Sequence, residues 1–196
     1  MNGKKLQSLS KYSKVASWAI WNNNDIRDTS IIEKKSDLLH NEVVIVGLNV
    51  SDDIENEWSN FHDGNHDRKL MKLFNNSSYQ GAYMTDIIKN HVAAKSQSID
   101  DLDQSVIDEN IKIFKDEMST LSANKSTLFI LFGKKTQELF INELVFYFNN
   151  IITCTHYSYY GKGYTDEKWI DETSSKLKKH YQKTKGVFNT KKFVLY

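Results

Sequence analysis

The sequence predicts an α/β fold, a three-layer α/β/α sandwich with a central four-stranded, mainly parallel sheet. Three observations carry this expectation. The runs Glu42-Val43-Val44-Ile45-Val46-Gly47 and Thr127-Leu128-Phe129-Ile130-Leu131-Phe132 are continuously apolar, the pattern of strands buried on both faces. Segments with apolar residues at helical spacing separate the strand-like runs. Strand alternating with helix is the signature of crossover units in a parallel sheet.

Taken in order, Leu6, Leu9, Tyr12, Ala16, Ala19 and Ile20 fall at helical spacing and predict a first helix ending at Asn22-Asn23-Asn24. The first strand is the run from Glu42. A helix is expected from His66 to Phe74, then a short strand at Gly81-Ala82-Tyr83-Met84. Asp103 to Leu121 reads as a helix with Val106, Ile107, Asn110, Ile111, Phe114, Met118 and Leu121 along one side. After the third strand, closed by Gly133, a helix is expected from Lys134 to Phe148 and a fourth strand from Ile151 to Thr155. Thr165 is placed as the N-cap of a last helix, with Asp166 and Glu167 in the first turn where acids suit the helix dipole. Trp169, Thr173, Leu177 and Tyr181 line that helix, and 187–196 is expected to form an edge strand guarded by lysines.

The chain of 196 residues, without repeat or low-complexity linker, is expected to be a single domain over 1–196, with core motifs in 42–160 and a basic helix and tail in 165–196. The net charge of +1 excludes a strongly cationic wrapper of duplex. The balance is nevertheless uneven. Seven lysines and no acid lie between Thr173 and Tyr196, which suggests a local contact with a polyanion. The lone cysteine, Cys154, can build neither a disulfide framework nor a thiolate metal site and reads as a buried core thiol. No apolar stretch approaches 18 residues and no leader is evident, so a cytoplasmic protein without a membrane partner is expected. Proline is absent altogether, so Gly, Asn, Asp and Ser must shape every turn.

In open α/β sheets ligands bind at the carboxyl ends of the strands. Those ends are Gly47-Leu48-Asn49-Val50-Ser51, Thr85-Asp86, Gly133-Lys134-Lys135 and Thr155-His156-Tyr157-Ser158. Asn49, Asp86 and His156 are thereby expected to converge on one rim. No phosphate-binding loop, dinucleotide fingerprint or nucleophile elbow competes with them. His62 and His66, in Phe61-His62-Asp63-Gly64-Asn65-His66-Asp67, match no zinc template, so no metal or other cofactor is expected.

The four strand ends together resemble the uracil-DNA glycosylase superfamily. Gly47-Leu48-Asn49-Val50-Ser51 is similar to its first motif, and Leu128 to Gln137 to its third core strand with a Gly-Lys-x-x-Gln continuation. His156-Tyr157-Ser158-Tyr159-Tyr160 is similar to its second motif, and Tyr83-Met84-Thr85-Asp86 falls where the base-reading strand stands. Val50 and Tyr157 replace the two motif prolines.

The resemblance implies a metal-independent DNA glycosylase that hydrolyses the N-glycosidic bond of an aberrant or modified base flipped out of DNA. Asn49 would position the water, His156 would donate to an oxygen of the departing base, and His62 is a reserve for acid–base work. Gly47, Leu48, Phe61, Thr85, Asp86 and Ser158 would bind the base. Phe61 would stack on it, and Asp86 or Thr85 would read its edge. Tyr157, Tyr159, Tyr160, Lys134 and Lys162 would contact DNA, with no obligate protein partner. Asp86 as an acceptor fits uracil poorly, pointing to another or a modified base; repair and defence against modified DNA are both compatible. Two other readings stand beside this one. One is a non-catalytic protein of the same fold that binds nucleic acid or a nucleotide. The other is a nucleoside hydrolase or transferase using Asp86 as nucleophile.

Overall fold

The computed structural model describes residues 3–62, 64, 66–92 and 99–184. The expected edge strand at 187–196 lies outside them. The described chain forms an α/β fold around a five-stranded mixed sheet, with strands β1 (Ala16–Trp18), β2 (His40–Asn49), β3 (Ala82–Ile88), β4 (Leu128–Phe132) and β5 (Ile151–Cys154). Across the sheet the order is β1-β3-β2-β4-β5. β1 pairs antiparallel with β3, and the other three pairings are parallel.

The fifth strand corrects the expectation of four. The helical spacing continues through Ile20 in the sequence, but the helix α1 (Gly3–Ser8) and one further 3-10 turn end by Tyr12, and Ala16 to Trp18 form an edge strand beside β3. The reason is burial on both sides. All three β1 residues are buried, so no alternation marks them, and Ala16, Ala19 and Ile20 fit either period. β3 also runs four residues past the expected end at Met84, to Ile88. Its seven residues are all buried, including the polar pair Thr85 and Asp86 that gives the strand an apparent end in the sequence.

Helices α3 (Asp67–Phe74), α4 (Gln104–Leu121) and α6 (Asp166–Thr184) follow the expected positions closely. A short α2 (Ser30–Lys34) precedes β2, and α5 (Lys134–Glu143) stops five residues before the expected Phe148. Beyond α5 the chain continues in turns that still bury Leu144 and Phe148. Thr165 Oγ1 accepts from the Lys168 N–H at 3.3 Å, the cap expected of it.

Alternate residues of the strands feed two cores. Val44, Val46, Tyr83, Phe129 and Leu131 pack against Ile111, Phe114 and Met118 of α4 and Phe140 of α5. On the opposite face Val43, Ile45, Met84, Ile130, Phe132 and the buried Cys154 pack against Leu70 and Phe74 of α3 and Trp169 and Leu177 of α6. The carboxyl ends of β2, β3, β4 and β5 lie along one edge of the sheet, and α3, α5 and α6 begin there.

Candidate functional site

At this edge β2 and β3 are in register with Gly47 opposite Asp86. A Cβ on Gly47 would overlap Asp86 Oδ1, so the missing side chain is what admits the carboxylate, while Cζ of Phe61 would stand at ordinary contact, 3.5 Å away. Asp86 is buried, and its Oδ2 accepts from Asn60 Nδ2 at 2.8 Å. Burial pushes its carboxyl up to about 6, while the Asn60 bond and the Lys89 ammonium pull the other way. At neutral pH it remains an acceptor.

Phe61 covers this floor from the 50–66 loop. Its φ of +69° is in the left-handed region, which costs a non-glycine residue about 1–2 kcal/mol. Trp21 holds it there by donating Nε1–H to the Phe61 carbonyl at 3.0 Å. Phe61 packs on Tyr157 with ring centroids 6.3 Å apart. Tyr157 in turn packs on Phe132 at 5.8 Å and stacks on His156 at 4.5 Å and 23°. The half-buried His156 ring presses on Gly133 at the start of α5, where an added Cβ would meet its Cδ2 at 3.2 Å.

The protonation of His156 follows from its partners. Its Nδ1 accepts from the Ser158 N–H at 3.2 Å and lies 2.7 Å from Ser158 Oγ. The proton of the neutral ring therefore sits on Nε2. Desolvation, reinforced by His66 and Lys69, lowers its pKa to about 4, so near pH 7 it is a neutral donor.

Asn49 lies two residues beyond Gly47 and so on the same face of β2, paired in register with Ile88; its Nδ2 donates to the Val50 carbonyl at 3.0 Å. Leu48, between them, faces the opposite core. Thr85 does the same. Its Oγ1 donates to Glu117 Oε1 at 2.9 Å and accepts from Lys89 Nζ at 2.7 Å, in a buried cluster under α4. Of the pair Thr85 and Asp86, strand alternation leaves only Asp86 at this rim. His62 stands elsewhere too. It is 0% exposed, with Nδ1 3.2 Å from the Ile26 carbonyl, Nε2 3.3 Å from the Trp18 carbonyl and its ring stacked on Trp21.

The loop after β5 presents the expected surface groups. Ser158, Tyr159 and Tyr160 are exposed, the tyrosines by 52% and 63%, and Lys162 is exposed beside them. Tyr160 OH lies 2.9 Å from His66 Nδ1. Lys134 is exposed at the start of α5 and pairs with Glu138 at 3.5 Å. Tyr157, grouped with these by sequence, turns inward instead.

Three polar residues at this edge escaped sequence reasoning: Asn60, Asp67 and Lys69. Asp67 is buried in the first turn of α3 and accepts from the Gly64 N–H at 2.7 Å. Lys69 is 2% exposed, pairs with Asp166 Oδ1 at 2.7 Å and lies beneath the rings of Tyr160 and Trp169. A lysine on a helix reads as surface unless its partner, here almost a hundred positions later, is known. Among the described residues no three His, Cys, Asp or Glu side chains gather as a ligand set for a metal, and no helix is long and apolar enough to cross a membrane. No protein-family model matches the chain, and no curated protein matches it.

Proposed function

We propose that the protein is a DNA glycosylase acting on an aberrant or modified base flipped out of the helix. The observation that carries the reading is the meeting of Gly47, Asp86, Phe61 and His156 at a single rim, from three strand ends and one loop, with Asp86 and Phe61 lying on Gly47 and Tyr157 standing between Phe61 and His156. Hydrolysis of an N-glycosidic bond places positive charge on the sugar and negative charge on the departing base. The neutral Nε2–H of His156 is suited to donate to that base, an electrostatic contribution of about 3 kcal/mol. Its tautomer is held by Ser158, so no reorganisation is needed at the moment of reaction. Asn49 orients water toward an already cationic carbon, where a weak nucleophile suffices. Asp86, held by Asn60, reads the edge of the base, and Phe61 stacks on its face. The exposed Tyr159 and Tyr160 fill the gap left in the duplex, where each base stacked on an aromatic ring is worth about 1–3 kcal/mol. Lys134 and Lys162 contact phosphates.

The test is release of free base from oligonucleotides carrying normal, deaminated and modified bases, followed by alkaline cleavage at abasic sites. Release from at least one substrate, reduced roughly 100- to 1,000-fold in His156→Ala, is expected. If no base leaves any substrate and Asn49→Ala alters only binding, the protein is a nucleic-acid-binding domain instead.

A further inference from the structure

Tyr157 occupies the centre of the rim. Its flat ring stacks on His156 at 4.5 Å and 23°, with Phe61 and Phe132 closing its other sides. Burial together with the nearby carboxylates of Asp67 and Asp86 holds its phenol well above its ordinary pKa. A planar ring stacked on an imidazole, with buried carboxylates nearby, is a place that a small heterocycle with an exocyclic amine would also fit. The phenol is buried, but the residue as a whole is partly exposed and Ser158 to Tyr160 after it are exposed, so the segment that carries the ring lies at the surface. The latches of this loop are the contacts of Ser158 with His156 and of Tyr160 with His66, followed by Gly163 at a φ of +73°.

We infer that Tyr157 is a displaceable occupant of a ring-binding slot, and that the slot takes a single six-membered heterocycle bearing an amine, the cytosine class. Asp86 offers only acceptors when ionised. One of its oxygens is engaged by Asn60, and the other lies over Gly47, which Phe61 of the slot wall also approaches. An amine satisfies that oxygen, whereas the carbonyl of a uracil-type ring at the same place would repel it. A ring the size of a phenol leaves no room for a fused second ring unless the walls move. Swinging Tyr157 out would therefore expose His156 and Asp86 together to the same guest.

This inference rests on the site proposed above but not on turnover, and free cytosine is the probe. Tyr157→Ala is expected to bind cytosine at least tenfold more tightly than the parent chain by calorimetry, with no comparable gain for uracil. Asp86→Asn in the same background is expected to abolish the preference. Tyr157→Phe, which keeps the plug, is expected to behave like the parent. Should Tyr157→Ala not fold, Tyr157→Leu keeps apolar bulk against Phe61 and Phe132 while removing the stacked plane, and an intermediate gain is expected. Equal cytosine affinity in a folded Tyr157→Ala or Tyr157→Leu chain and in the parent overturns the slot; equal gains for cytosine and uracil overturn the amine class. Base release from oligonucleotides without a gain in these variants sinks the slot alone. Cytosine binding without any base release sinks the glycosylase reading alone.

Discussion

Gly47 shows how much one absent side chain decides. Its backbone sits so close to Asp86 that a methyl group would overlap the carboxylate, which would have to leave its hydrogen bond with Asn60 to make way. Gly47→Ala is expected to cost about 1–3 kcal/mol of stability, as overpacked sites do, and to displace the acid from the rim. Thermal melts and the base-release assay should both register the change; unaltered activity would show that Asp86 does not form the floor of the site. Residues of this kind were half legible in sequence. Gly47, Asn49, Asp86 and His156 follow from one rule, that strand ends carry chemistry in a parallel sheet. The rule does not choose between Thr85 and Asp86, because the face each takes depends on where β3 starts. It does not find Asn60 either, whose importance is its reach across to Asp86.

At the scale of elements, the joint between β3 and α4 is a buried polar cluster. Glu117 is fully buried and takes Tyr83 OH and Thr85 Oγ1 on one oxygen, each at 2.9 Å, and the Lys89 ammonium at 2.9 Å on the other. The Lys89 and Asn90 N–H groups both donate to Asn110 Oδ1, which ties the end of β3 to the same helix. Glu117→Ala leaves a buried ammonium unpaired and is expected to cost about 3–5 kcal/mol in urea unfolding. Adding Lys89→Met to that variant should recover part of the loss, since the stranded charge is removed; no recovery would show that the hydroxyl bonds dominate. The helices and the two central strands were readable because their burial is uniform along a face. β1 was not, since a three-residue strand buried throughout has no periodicity to display. Its assignment depends on β3, which the local pattern around Ala16 cannot reveal.

For the whole molecule, titration links the core to stability. His62 and His156 are each lowered to about 4, first of all by burial, against 6.5 in the unfolded chain. Both contributions are present above 6.5 and are lost as pH falls toward 4. Asp86, raised to about 6 from 3.8, acts in the opposite direction over most of that window, because there the native state holds the extra proton. Two protons gained by the unfolded chain against one gained by the native leave a net of one. These three groups should therefore lower stability by about 1.4 kcal/mol per pH unit between pH 6 and 4, and His66, also lowered by burial, adds to the fall. Urea melts across this range test it, and His62→Gln should bring the slope from these three groups close to zero. An unchanged slope in that variant would mean that His62 is not neutral in the fold.

Charge is arranged on the same scale. α6 begins at the rim with Asp166 and Lys168 and carries Lys176 and Lys179 away from it, beside Ile151 to Thr153 of β5. Removing Lys134 or Lys162 should reduce the salt slope of duplex binding by about one each. Removing Lys176 and Lys179 should leave it unchanged if DNA sits at the rim, and filter binding at several salt concentrations distinguishes the two. A fall in slope on removing Lys176 and Lys179 would place the duplex along α6 instead.

The antiparallel β1 also sets a timetable for the chain as it is made. Ala16 and Trp18 find their partners only in Thr85 and Tyr83, so the earliest strand must wait for the sheet to reach it. At about 5–20 residues per second, roughly 3–14 seconds of synthesis separate the two segments. Through that interval Trp18, Ala19 and Ile20, all fully buried later, are apolar surface on the ribosome. Premature release of the nascent chain before β3 emerges would thus yield an aggregation-prone fragment, and a holding chaperone that recognises this stretch would act on it in preference to the finished protein.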